Sequence, residues 1–204
     1  MACAWPGCAD SPRHRVARRN YKTLEAEGVE AETFWTGAKG GGGEHPMNIR
    51  RACAADIPRL FELLRQVNNV HADGRPDLFR RDKTKYSVEA LELLVADDAR
   101  PIFVSVDDGG MVLGYAFCRF EVEKGDGNLV PGKDLYVDDI CFDENFRGKG
   151  LAKELFAWVE DFARRQGCRR ITLHVWECNP VAAAFYAGRG MKPYFTALEK
   201  AIRP

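Results

Sequence analysis

The sequence predicts one mixed α/β domain over residues 47–204, a sheet with helices on both faces. Three observations predict it. Apolar residues alternate with period two in some segments and recur at helical spacing in others, and the two kinds of segment interleave along the chain. Two strand-like segments meet across Asp107-Asp108-Gly109-Gly110, a hairpin turn that makes part of the sheet antiparallel. Another strand runs through a glycine-rich turn into a long amphipathic helix, a crossover that returns the chain to the sheet.

Taken in order, residues 47–51 read as a short strand. Residues 54–70 read as a helix, with Ile57, Leu60, Leu64 and Val67 on one stripe and Asp56 in the first turn. A polar loop over 71–85 holds Pro76, and Ser87 is a plausible N-cap for a helix over 88–96. The hairpin arms are 102–106 and 111–122, followed by a glycine-rich loop over 124–133 and a strand over 134–142. After a loop at 143–148, a helix over 149–166 puts Leu151, Leu155, Val159 and Phe162 on one face, with Gly167 just past its end. A strand over 170–175 and a helix over 180–187 follow, and the tail from Met191 is expected to pair into the sheet.

Composition narrows the class. Of 204 residues, 46% are hydrophobic, and 30 basic side chains balance 30 acidic ones. That is too apolar for a disordered chain. It also lacks the basic excess of a nucleic-acid or membrane-surface binder, so neither partner is expected. No apolar run approaches the ~20 residues that cross a bilayer, and the start resembles no secretory signal. The seven cysteines are odd in number and irregularly spaced, and only Cys3 and Cys8 form a loose pair. Neither a disulfide framework nor a metal site is expected, and a cytoplasmic setting is the simplest.

Residues 1–46 have no apolar period and end in Gly40 to Gly43 and Glu44-His45-Pro46. They read as a flexible extension without catalytic groups. Codons for a Gly-Gly-Glu run resemble a purine-rich ribosome-binding site, which makes Met47 a candidate start of the native protein.

The chemistry concentrates at 136–153. Asp143-Glu144-Asn145-Phe146 leads into Arg147-Gly148-Lys149-Gly150-Leu151-Ala152 and then Lys153. Glycines let backbone N–H groups converge, a helix start leaves amides unpaired, and three cations stand beside them, which suits a diphosphate. A nucleoside-triphosphate P-loop is excluded because Gly150 follows Lys149 where Ser or Thr is required. The dinucleotide fingerprint lacks its third glycine, with Lys153 in that place.

Arg147, Gly150 and Ala152 occupy the fixed positions of Arg-x-x-Gly-x-Gly/Ala, and so this turn resembles the acetyl-coenzyme A signature of the GNAT superfamily of N-acetyltransferases. Asn179-Pro180, then Ala184-Phe185-Tyr186 and Gly188-Arg189-Gly190-Met191, resemble the same family's downstream pattern. The resemblance implies a mainly antiparallel sheet whose fourth core strand carries a bulge and splays from the fifth, with pantetheine in the gap. It implies that Ile140, Cys141 and Phe142 offer backbone groups to pantetheine and the thioester. Residues Arg147, Gly148, Lys149, Gly150, Leu151, Ala152 and Lys153 would hold the diphosphate, Asn179 would flank the pantetheine arm, and Tyr186 would lie near the sulfur.

A protonated amine is no nucleophile, so acetyl transfer to it needs a base. Asp138 and Asp139 precede the glycine turn, and strand alternation predicts them on opposite faces. Asp138 is preferred as sharing a face with Tyr136 and Phe142, with Asp139 the alternative. Tyr186 would reprotonate the leaving thiolate, and an N–H near Phe142 would hold the oxyanion. His71 and Tyr86 are candidate acceptor contacts. Cys141 with His174 as an acyl-carrying pair is the weaker route, since a small buried thiol is commoner. The expected activity is acetyl transfer from acetyl-coenzyme A to a primary amine by direct attack, on a small molecule, with a protein N-terminus as alternative acceptor. A homodimer is compatible with the family. A non-catalytic acyl-coenzyme A module is the reading from another class.

Overall fold

A computed structural model describes residues 48–202, so the expectations for residues 1–46 and for Met47 lie outside the described residues. Chain order is β1 (Asn48–Arg51), a 3-10 turn, α1 (Ile57–Gly74), α2 (Val88–Val95), β2 (Ile102–Val106), β3 (Val112–Glu123), β4 (Gly132–Phe142), a second 3-10 turn, α3 (Leu151–Arg165), β5 (Arg170–Leu173) and α4 (Pro180–Gly188). The strands form one sheet in sequence order. Neighbours are antiparallel from β1 to β4, while β4 and β5 are parallel and joined through α3.

Alternation along the strands divides the apolar residues between two cores. On one face Leu60, Leu63 and Leu64 of α1 and Leu91 and Leu94 of α2 pack on Val104, Tyr115, Phe117 and Cys141. On the other, Leu155, Val159 and Phe162 of α3 pack on Phe103, Ala116, Leu135, Val137 and Phe142. Gly114 lets the second core close, because a Cβ there would come within 2.5 Å of the Phe142 ring.

Two expectations are corrected. Helix α1 runs through His71 to Gly74, so His71 stands on a helix rather than in a loop. The polar pair Asn68-Asn69 does not end the helix because the following loop satisfies it: Asn68 donates to the Arg80 carbonyl (2.7 Å) and the Asn69 side-chain oxygen accepts from the Asp82 N–H (2.8 Å). Among the described residues, the tail also forms no strand beyond Met191. Pro193 lacks a ladder donor, and side-chain contacts lead the segment off the sheet: Phe195 packs on His174 at 5.4 Å and Glu199 pairs with Arg75 at 2.8 Å.

Candidate active site

The site begins where the ladder breaks. Cys118 opposes Val137 and Phe117 opposes Asp139, which leaves Asp138 as the extra residue of a bulge in β4. Pairing of β4 with β5 stops at Val137 and Leu173, so among the described residues 138–142 continue with no strand partner on that side. The bulge overturns the expected opposition of the two carboxylates. Asp138 and Asp139 both lie on the α1–α2 side, whereas Phe142 belongs to the α3 core, so Asp138 shares a face with Tyr136 but not with Phe142.

The neighbouring carboxylates live in different surroundings. Asp138 accepts from Lys85 Nζ (2.6 Å), the Tyr86 hydroxyl (2.8 Å) and Arg119 (3.3 Å). Burial pushes its carboxyl up, but these donors outweigh burial and hold it below the usual range. Asp139 is half-buried and accepts from the Tyr115 hydroxyl at 3.1 Å. Burial pushes it up to about 6; Lys85 opposes the rise and Asp138 adds to it. Tyr86 stacks on Phe117 with ring centres 5.6 Å apart, and burial together with Asp138 raises its pKa so that it remains a donor. His71 packs against Phe79 and Trp176, with its pKa lowered by burial and then by Lys85.

Across the gap, Tyr186 of α4 is buried against Phe156 and Phe185. Burial, then the nearby Asp139 charge, raises its pKa, so it keeps its proton. Asn179 N-caps α4 by accepting from the Ala182 N–H (3.1 Å), so it positions the helix that carries Tyr186. Ile140 packs toward the α3 core and Cys141 toward α1. The Cys141 thiol is pushed up to about 12 by burial, and His174 bonds the Tyr136 hydroxyl (3.1 Å) instead, so no nucleophilic Cys–His pair forms.

At the end of β4 the Phe142 carbonyl accepts from Gln66 of α1 (2.9 Å). The Asp143 N–H bonds Leu113 of β3 (2.9 Å); alternation therefore turns the Phe142 N–H the other way, toward the gap. The Asp143 carboxylate is clamped by Arg59 and caps the turn at Asn145. Gly148 and Gly150 then take left-handed φ values of 77° and 82°, and an added Cβ at either would meet nothing within 4 Å. Gly150 N-caps α3 without a side-chain cap, which leaves the first helical amides to a ligand. With Arg147, Lys149 and Lys153 alongside, this open cradle fits a diphosphate.

The structure thus places Asp138, Asp139 and Tyr86 beside the unpaired end of β4, with Tyr186 close enough to feel the Asp139 charge and the glycine turn following that strand end in the chain. Lys85, Arg119 and Tyr115, which set the charge of the carboxylates, were not singled out in the sequence. The register of β3 against β4 is the signal that finds Arg119, since it lies opposite Tyr136.

The model of the acetyltransferase (GNAT) family matches residues 61–191, spanning both carboxylates, the glycine turn and Tyr186. The chain belongs to the GNAT family. This GNAT acetyltransferase is 34% identical over 153 residues to an uncharacterised N-acetyltransferase of Lactobacillus delbrueckii subsp. lactis, covering 71% of this chain and 84% of the relative. Its fold matches the crystal structure of a mutant Bacillus halodurans protein with a TM-score of 0.73 at 24% identity, covering 76% of this chain and 99% of that one. It also matches an aminoglycoside N-acetyltransferase in complex with CoA, with a TM-score of 0.56 at 17% identity, over 80% of this chain and 99% of that one. Among the described residues of the GNAT chain, no helix is long and apolar enough to cross a membrane.

Proposed function

We propose that the enzyme transfers an acetyl group from acetyl-coenzyme A to the primary amine of a small molecule, by direct attack with both substrates bound. The observation that carries this reading is the unpaired end of β4. It joins an anion cradle at 147–153 to a gap flanked by two carboxylates and a protonated tyrosine. The diphosphate of coenzyme A fits the cradle, and its pantetheine fits the gap along Ile140 to Phe142.

Asp139 is the better base. It has one side-chain donor, and a pKa near 6 lets it accept a proton at neutral pH, whereas Asp138 is held by three donors and serves as the charge anchor for the ammonium. The Phe142 N–H stabilises the oxyanion, and Tyr186 protonates the thiolate. A small acceptor is favoured because the acceptor flank is braced. Arg75 ties the loop after α1 to Glu199 of the tail, and Phe79 and Trp176 pack against His71. His71 and Tyr86 would then face the acceptor.

The test is thiol release from acetyl-coenzyme A against amines, amino acids, aminoglycosides and peptides. Turnover of a small amine supports the reading. Turnover of peptide N-termini alone transfers it to a protein acceptor, and binding of coenzyme A without turnover of anything sinks it.

A further inference from the structure

An acceptor at this site must bring a primary amine to the carboxylates from the solvent side, and the chain already holds one there. Lys85 Nζ lies 2.6 Å from Asp138 Oδ2, on a side chain that is 50% exposed. It is close enough to Asp139, His71 and His174 to bias all three. Among the described residues no other lysine pairs with either carboxylate. An ammonium beside the charge anchor, with the base next to it, is the arrangement expected of a bound acceptor before reaction.

We propose that Lys85 is itself an acceptor, and that without an external amine the enzyme moves one acetyl group onto its ε-amine. The inference rests on the acetyl-transfer reading above. Lys85 gives a proton to a carboxylate and its nitrogen attacks the thioester carbonyl carbon. The C–N bond forms, the C–S bond breaks and the electron pair leaves with sulfur. The products are acetyl-lysine, coenzyme A thiol and one proton released to water, from an ammonium and a thioester. Tethering favours this step because the amine needs no separate binding event. The resulting amide carries no charge. It fills the place of an incoming ammonium and leaves Asp138 with Tyr86 and Arg119, so the modified enzyme acetylates external amines more slowly.

The experiment incubates the full chain with acetyl-coenzyme A and no amine, then reads intact mass and acetylated peptides over time. One acetyl group on Lys85 is expected, formed at a rate independent of protein concentration. It should be absent in Lys85→Arg, strongly slowed in Asp139→Asn, and delayed by any amine that the enzyme turns over. Acetylation of Lys85 no faster than that of the other lysines, or undiminished in Asp139→Asn, would mark chemical reaction with the thioester and overturn the proposal. Turnover of an external amine with Lys85 left bare overturns this proposal alone. Thiol release to no amine with Lys85 also bare overturns both readings.

Discussion

Asp138 and Asp139 are adjacent in sequence and face the same side, yet one is held below its ordinary pKa and the other above it. Lys85 makes the difference testable because it acts on both. If Asp139 is the base, activity rises with pH through about 6, as its carboxylate forms. Asp139→Asn should lower kcat by ~100-fold or more and remove that limb, with coenzyme A binding retained. Replacing the neighbours should move the limb in opposite directions. Asp138→Asn removes a charge that raises Asp139, so the limb moves to lower pH; Lys85→Met removes a charge that lowers it, so the limb moves to higher pH. Profiles of kcat/KM against pH for the three variants check this, and parallel shifts would assign the limb to another group. Tyr186→Phe should lower kcat without moving the limb, since Tyr186 stays protonated throughout. None of these differences was legible in the sequence. The carboxylates could be named, but alternation placed them on opposite faces, and only a bulge put them together. The family resemblance implies a bulge in the fourth core strand, but a run of apolar and acidic residues does not say which residue it turns, since that depends on how two strands pair.

At the scale of elements, the glycine turn and the long helix were legible because their chemistry is local. Gly148 and Gly150 take a backbone conformation that other residues avoid. Gly150→Val should therefore weaken coenzyme A binding at least tenfold, through ~1–2 kcal/mol of backbone strain and a side chain in the cradle. Helix α3 keeps its apolar face, so the thermal transition should stay cooperative; calorimetric titration and a melt read the two effects separately. The cap on α4 was not read as a cap, although Asn179-Pro180 before an alanine-rich run is a helix start. Asn179→Ala should cost about 1 kcal/mol of stability. If Asn179 serves only as cap, Asn179→Ser, which also caps, restores both stability and turnover; if it also touches pantetheine, stability returns while KM for the donor stays raised. The end of α1 was missed because the groups that satisfy Asn68 and Asn69 lie on a loop more than ten residues away, and pattern reading sees only neighbours.

Across the molecule, three acidic groups are held in two opposed ways, and acid titration tells them apart. Asp56, paired with Arg50, and Asp143, clamped by Arg59, both have folded pKa values below the ordinary carboxylate range despite burial. Each binds its proton more weakly in the fold than in the unfolded chain, so their stabilisation is present above the unfolded pKa near 4 and is lost as pH falls through the lower folded value. Asp139 runs the other way. Its folded value of about 6 lies above the unfolded one, so its contribution is greatest at acid pH and disappears as pH rises through that window. A rise from 3.8 to about 6 corresponds to at most roughly 3 kcal/mol, reduced by whatever water the gap admits. Asp139→Asn removes this one titration and leaves the others, His71 among them, common to both proteins. The stability of the variant relative to the parent should therefore increase between pH 4.5 and pH 8 (about the folded value), read from urea midpoints at each pH. A gap between the two midpoints that does not change with pH would mean that the carboxylate ionises freely in the fold. It would then lose its claim to the base, because the same burial that costs the fold stability at neutral pH is what lets Asp139 take a proton from an amine there.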